Sequence, residues 1–186
     1  MSKSRATIYV GVFAEARAAP WSAGPHASSR ARHSARCRML PPMTPEQRAL
    51  VIQFFDTQIP FNRLLGLSVR ELGEGRAIID VPFRADLIGD PTRPALHGGV
   101  LSATIDAAGG AAAFTQVSLP HDRISTIDLR VDYLRPAELR DFVCEGTVSR
   151  MGNRVASVDI VAYHAGESDR LIATGKAVYS IRRSDQ

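Results

Sequence analysis

Cysteine is scarce: Cys37 and Cys144 are the only two in 186 residues. They offer neither a disulfide framework nor a metal-ligand spacing, a usage that suits a reducing cytoplasm. Long apolar runs are missing too. The stretch from Ile8 to Phe13 is too short for a membrane span and weak as a secretory signal, so no membrane partner is expected. No glycine cluster joins a strand to a helix at nucleotide-binding spacing, and there is no internal repeat. Acid is nearly absent from residues 1–42, where Lys3, Arg5, Arg17, Arg30, Arg32, Arg36 and Arg38 face Glu15 alone, 7 minus 1, or +6. The whole chain carries 23 basic and 19 acidic side chains, which leaves 16 and 18, or −2, for the remainder. A mildly acidic body has no general electrostatic reason to bind nucleic acid.

The boundary near Pro41-Pro42 divides two kinds of text. Residues 1–42 are rich in Ala, Ser, Arg and Gly without a sustained period, which predicts disorder. The same composition fits a transit peptide, and a start of translation at Met39 or Met43 would make the segment non-native; these readings stay open. Residues 43–186 read as a single domain. Thr44-Pro45-Glu46-Gln47 has the form of a capping box and predicts a helix from Pro45 to about Thr57, with Leu50, Val51, Phe54 and Phe55 on one face and Pro60 as its stop. A strand near Leu67 to Leu72, the turn Gly73-Glu74-Gly75 and the alternation Ala77, Ile79, Val81, Phe83 predict a hairpin. Arg84 to Ala95 reads as an irregular loop. Four strands follow the central segment: one around Ile127, Leu129, Val131 and Tyr133, then Phe142 to Arg150, Val155 to His164 and Leu171 to Ile181.

Between these strand groups lies LHGGVLSATIDAAGGAAAFTQV, from Leu96 to Val117. Asp106 carries the one full charge between Arg93 and Asp122. A segment apolar on nearly every side is a helix wrapped by other structure. A lone carboxylate there costs several kcal/mol unless paired or hydrogen-bonded, so it marks chemistry. The plain alternative is an ion pair with an Arg from a strand. Gly98 and Gly99 open the helix, where N–H donors are unpaired and the helix dipole is positive, a place suited to an oxyanion. Eight residues separate Gly98 from Asp106, roughly 12 Å of helix. If both act on one carbonyl, they come from two chains of a dimer.

The order of elements gives an α+β fold in which an antiparallel sheet of about five to six strands wraps one long central helix. Pro60-Phe61-Asn62-Arg63, Leu96-His97-Gly98-Gly99-Val100, Ile105-Asp106, the block from Thr126 to Pro136, and Gly152-Asn153-Arg154-Val155-Ala156 are similar to segments of hotdog-fold acyl-CoA thioesterases. The resemblance is to the phenylacetic-acid-degradation (PaaI-like) type, in its bacterial medium- and long-chain branch. It implies hydrolysis of acyl-CoA with Asp106 as general base or nucleophile and the Gly98 N–H as oxyanion donor across a homodimer interface, with dimers pairing further. It also implies that His97 shapes the carbonyl pocket, that the Thr126 hydroxyl orients water, and that Gly99, Arg135, Asn153 and Arg154 meet the substrate. Asp90 stands where relatives carry Asn or Gln, and an ionised carboxylate cannot donate as an amide does. No metal or redox cofactor is implied; coenzyme A is part of the substrate.

Simpler readings stand beside these. His97 can be a helix-start histidine and Thr126 a strand former. Arg135 and Arg154 can be solvated charges, and Arg182-Arg183 reads as surface solubility. A hotdog hydratase or dehydratase, or a non-catalytic acyl-CoA binder, are the alternative functions.

Overall fold

The computed structural model describes residues 42–118 and 122–183. The expected disordered or non-native extension, residues 1–42, lies outside them except for its last residue.

The helix α1 (Pro45–Gln53) begins on the predicted box: Thr44 accepts from the Gln47 N–H, and the Gln47 side chain accepts from the Thr44 N–H. It continues as a wider π turn, Phe54–Gln58. Val51 and Phe55 enter the core, whereas Leu50 stays 65% and Phe54 43% exposed. The predicted apolar face was too broad, because two adjacent i,i+4 stripes cannot both meet the same sheet. Pro60 does not simply stop the chain. It is the first residue of α2 (Pro60–Leu65), a helix the sequence reading left out and a position where a missing N–H costs nothing.

Strands β1 (Ser68–Gly73) and β2 (Arg76–Val81) form the expected hairpin. The lead into the central helix holds more order than expected: a 3₁₀ turn at Ala85–Leu87 and a small hairpin of β3 (Ile88–Asp90) and β4 (Ala95–Leu96). Then come α3 (Gly98–Phe114), β5 (Arg123–Tyr133), β6 (Phe142–Met151), β7 (Val155–His164) and β8 (Leu171–Arg182). Six strands pair antiparallel in the order β1-β2-β6-β7-β8-β5. This is the six-stranded antiparallel sheet and single long helix of a hotdog fold.

The helix lies close against the sheet because small residues let it. Ile105, Ala108, Ala111, Ala112 and Ala113 are fully buried. At Gly146 on β6 a Cβ would stand 2.6 Å from the Ala108 carbonyl oxygen, so only glycine allows that approach. Strand β5 is one of the two edges, β1 being the other, and its alternation breaks at a bulge between Thr126 and Asp128. Before the bulge Ile124 and Thr126 turn toward α3; after it Leu129 and Val131 do. The expected stripe is therefore interrupted, and Ile127, which the pattern placed in the core, is 59% exposed.

Candidate active site

The bulge sets the geometry around Asp106. In a regular strand Thr126 would face away from Leu129, and thus away from the helix. With the extra residue it faces inward and its hydroxyl donates to Asp106 Oδ1 at 2.9 Å. Directly opposite Thr126 on β8 is Tyr179. Its hydroxyl lies 2.8 Å from the Asp106 main-chain oxygen and 3.4 Å from Oδ1. The sequence reading missed Tyr179. The signal was Gly109: a Cβ there would lie 2.4 Å from the Tyr179 hydroxyl, so the glycine is the space that the phenol fills. Burial, then the charge of Asp106, push the Tyr179 hydroxyl far above the usual tyrosine range, so it stays a donor.

Asp106 is half-buried rather than sealed. Its Oδ1 takes the Thr126 hydroxyl, with the Tyr179 hydroxyl, bonded to the main-chain oxygen, a longer 3.4 Å away, and Oδ2 receives no hydrogen bond from the described residues. No arginine pairs with it, so the ion-pair alternative fails among the described residues. It opens into a cleft of about 330 Å³. One wall is α3, from Ala103 through Ala107 and Gly110 to Phe114; the others are the π turn with α2, and the start of β5. Phe55, Ile59, Phe61 and Ile124 make those walls apolar.

The second cluster sits at the N-terminal end of α3, whereas Asp106 stands at the middle of that helix. His97 caps the helix: its Nδ1 accepts from the Gly99 N–H at 2.9 Å, which places the ring proton on Nε2 in the neutral form. The Val100 N–H bonds to the His97 carbonyl at 2.9 Å. With Gly99 and Val100 thus engaged, the Gly98 N–H is the free donor of the first turn, having no acceptor among the described residues. Tyr133 packs on this end and donates to the Gly98 carbonyl at 3.0 Å. Gly98 and Asp106 remain eight residues apart on one helix, so a single protomer does not bring them together.

The other expected residues fall at the two ends. Asp90 is engaged in its own loop, where Oδ1 accepts from the Thr92 hydroxyl at 2.6 Å and the Thr92 N–H at 2.8 Å. Those bonds, the hydroxyl's first, hold its carboxyl below the usual carboxylate range. Arg135 lies beyond the Gly98 end and donates to the Leu171 carbonyl at 2.5 Å. Asn153 and Arg154, in the β6–β7 turn, border a cleft of about 480 Å³ with Ser180, Ile181, Arg182 and Arg183, at the Asp106 end of the sheet. Arg183 is no mere solubility charge: it bonds buried Asp122 at 2.8 Å and the Asn153 side chain at 3.2 Å, tying the turn to the start of β5. Cys144 is buried, and burial pushes its thiol far above the usual range.

The pattern of the thioesterase superfamily matches residues 94–170. The chain is 32% identical over 152 residues to the medium/long-chain acyl-CoA thioesterase YigI of Salmonella typhimurium, covering 75% of this chain and 97% of the relative. Its Escherichia coli K12 counterpart is 31% identical at the same coverage. Among solved structures, a Shewanella oneidensis protein related to the thioesterase superfamily superposes with TM-score 0.63 at 31% identity, over 73% of this chain and 95% of the other. A thioesterase family protein from Silicibacter pomeroyi gives 0.66 at 25% identity, over 74% and 99%.

Proposed function

Since the chain belongs to the thioesterase superfamily and is an enzyme of thioester hydrolysis, we propose that it cleaves medium- or long-chain acyl-CoA in the cytoplasm at a site shared by two protomers. The observation that carries this reading is the state of Asp106: one carboxylate oxygen fixed by the Thr126 hydroxyl, its backbone by Tyr179, the other oxygen free, on the wall of an apolar cleft. A carboxylate held in that way is oriented to take a proton without moving. The α3 wall from Ala103 to Phe114 spans twelve residues, a rise of roughly 16 Å, enough for an extended hydrocarbon.

In the proposed step a water oxygen bonds to the thioester carbon as Asp106 Oδ2 takes its proton. Negative charge gathers on the carbonyl oxygen, where the Gly98 N–H at the start of the partner's α3 would receive it; one such donor is worth about 10²-fold to 10³-fold in rate. Collapse breaks the C–S bond, and the coenzyme A sulfur leaves with the proton that Asp106 held. His97, with its proton on Nε2, flanks the carbonyl; Gly99 lets it approach. The phosphates of coenzyme A stay outside, near Arg154 and Asn153 of one protomer and Arg135 of the other. A thiol-release assay over acyl-CoAs of increasing length tests the reading. Asp106→Asn is expected to fold normally and lose at least about 100-fold in turnover; near-wild-type rates in that variant would refute it.

A further inference from the structure

Two polar residues lining the cleft, Ser125 and Asn62, have no part in that reaction, and Asn62 is the buried one. Asn62 is 6% exposed and lines the same cleft as Asp106 and Thr126. Its orientation has a local cause. In the π turn, the Phe55 carbonyl looks for an N–H five residues on, but that residue is Pro60, whose nitrogen carries no hydrogen. Asn62 fills the gap, and its Nδ2 donates to the Phe55 oxygen at 3.1 Å. A carbonyl can only accept, so the NH₂ end of the amide must face Phe55 and the Oδ1 end must face elsewhere.

Oδ1 accepts no hydrogen bond from any described group. It is also not sealed in, since no fully buried side-chain polar atom among the described residues lacks a partner. The outlet left to a side chain so nearly covered is the cleft itself. The Thr126 and Tyr179 hydroxyls on that cleft are already spent on Asp106. A saturated acyl chain laid along Phe55, Ile59 and Phe114 would cover Oδ1 with methylene groups and strip its hydration without replacement, a costly arrangement. A chain with a hydroxyl at the right carbon would supply the missing hydrogen.

We infer that Asn62 Oδ1 receives the hydroxyl of a hydroxyacyl chain, so that hydroxylated acyl thioesters are the preferred substrates of this cleft. The inference rests on the cleft being the acyl slot of a thioesterase. It also sets a direction for specificity. A site with a waiting acceptor discriminates against the analogue lacking the hydroxyl, whereas a wholly apolar slot only weakly rejects the analogue that has one.

The test measures kcat/KM of the full chain on dodecanoyl-CoA and on its 2-hydroxy, 3-hydroxy and 12-hydroxy derivatives. At least one hydroxylated substrate is expected to exceed the plain one by about ten-fold, the worth of one net hydrogen bond. In Asn62→Leu the ratio between the two is expected to fall to about one, whatever the absolute rates. No preference in the wild type overturns the inference without need of a variant. So does a loss in Asn62→Leu that is equal on both substrates, which would assign Oδ1 to an amide N–H of the coenzyme arm or to the helix alone. A parallel competition between free dodecanoate and the hydroxydodecanoates against a fluorescent fatty acid reads the same preference without turnover. Absence of hydrolysis on every thioester would sink the enzyme reading, while this competition would still decide the role of Asn62.

Discussion

Thr126 and Tyr179 face each other across the β5–β8 pair, and both hold Asp106, the Thr126 hydroxyl by Oδ1 at 2.9 Å and the Tyr179 hydroxyl by the main-chain oxygen at 2.8 Å. The first bond holds the carboxylate by one oxygen, and the second holds the backbone that carries it. Thr126→Val, which removes a hydrogen bond to the charged carboxylate, is expected to lower kcat about ten-fold with KM little changed, and Tyr179→Phe, which removes one to the Asp106 main-chain oxygen, is expected to lower it by less. The double variant is expected to lose less than the product, because both position one residue. Steady-state kinetics with thermal unfolding as a control checks this. A rise in KM at constant kcat would mean that the hydroxyls hold substrate instead of the carboxylate.

The free N–H of Gly98 can be removed without disturbing the chain path. Proline suits the first position of a helix, and His97 already has φ −64° and ψ 131°, values that a residue before proline accepts. Gly98→Pro is expected to keep the fold and lose about 10²-fold or more in kcat, the worth of one oxyanion donor. Gly98→Ala keeps the N–H and adds a Cβ 3.3 Å from the Tyr133 ring, which lies half-exposed at a strand end and can give way. Its loss is expected to be much smaller. Equal losses in the two variants would show that crowding against Tyr133, and not the donor, is what matters.

The helix, the strands and Asp106 were legible because each leaves a local mark: a capping box, alternation, one charge in a run of small residues. Tyr179 was not legible. It stands in β8 like any inward residue, and its meaning comes from Gly109 and Thr126, seventy and fifty-three positions away in the chain. The bulge at Ile127 was hidden for a related reason. Ile127, Leu129, Val131 and Tyr133 alternate as a regular strand would, and only pairing with β8 shows that one residue is extra. The β3–β4 hairpin was missed because its strands, three and two residues long, are too short to show a period.

Asp90 bears on pH dependence. Its folded-state carboxyl lies below the ordinary value of 3.8, chiefly through the Thr92 hydroxyl and N–H. A depressed carboxylate contributes stability that is present above the unfolded value and fades as pH falls through the folded one. The loop contacts are therefore complete from about pH 5 upward. Asp90→Asn, which keeps an acceptor for Thr92, is expected to leave the pH–rate profile unchanged between about pH 5 and pH 8. A displaced limb in that window would place the Asp90 charge beside the reacting group.

The strongest demand of the proposed site is that its two halves belong to different chains. Tyr133 joins the Gly98 end of α3 and Thr126 joins Asp106 at its middle, so β5 spans both halves along the sheet edge. An exposed edge of eleven residues is a template for a second strand, and a two-fold axis across it makes that pairing antiparallel. An axis that runs midway between Gly98 and Asp106 would set each Gly98 against the other chain's Asp106. Asp106→Asn and Gly98→Pro, each nearly inactive alone, are then complementary. In a refolded equal mixture about half the dimers contain one of each, and each of these holds one site with neither defect, so activity is expected to return to about one quarter of wild type. Sedimentation must show dimers in every sample. If the mixture remains as inactive as its components while mixed dimers form, the carboxylate and the donor act within one chain, and the 12 Å between them rules out their sharing one carbonyl.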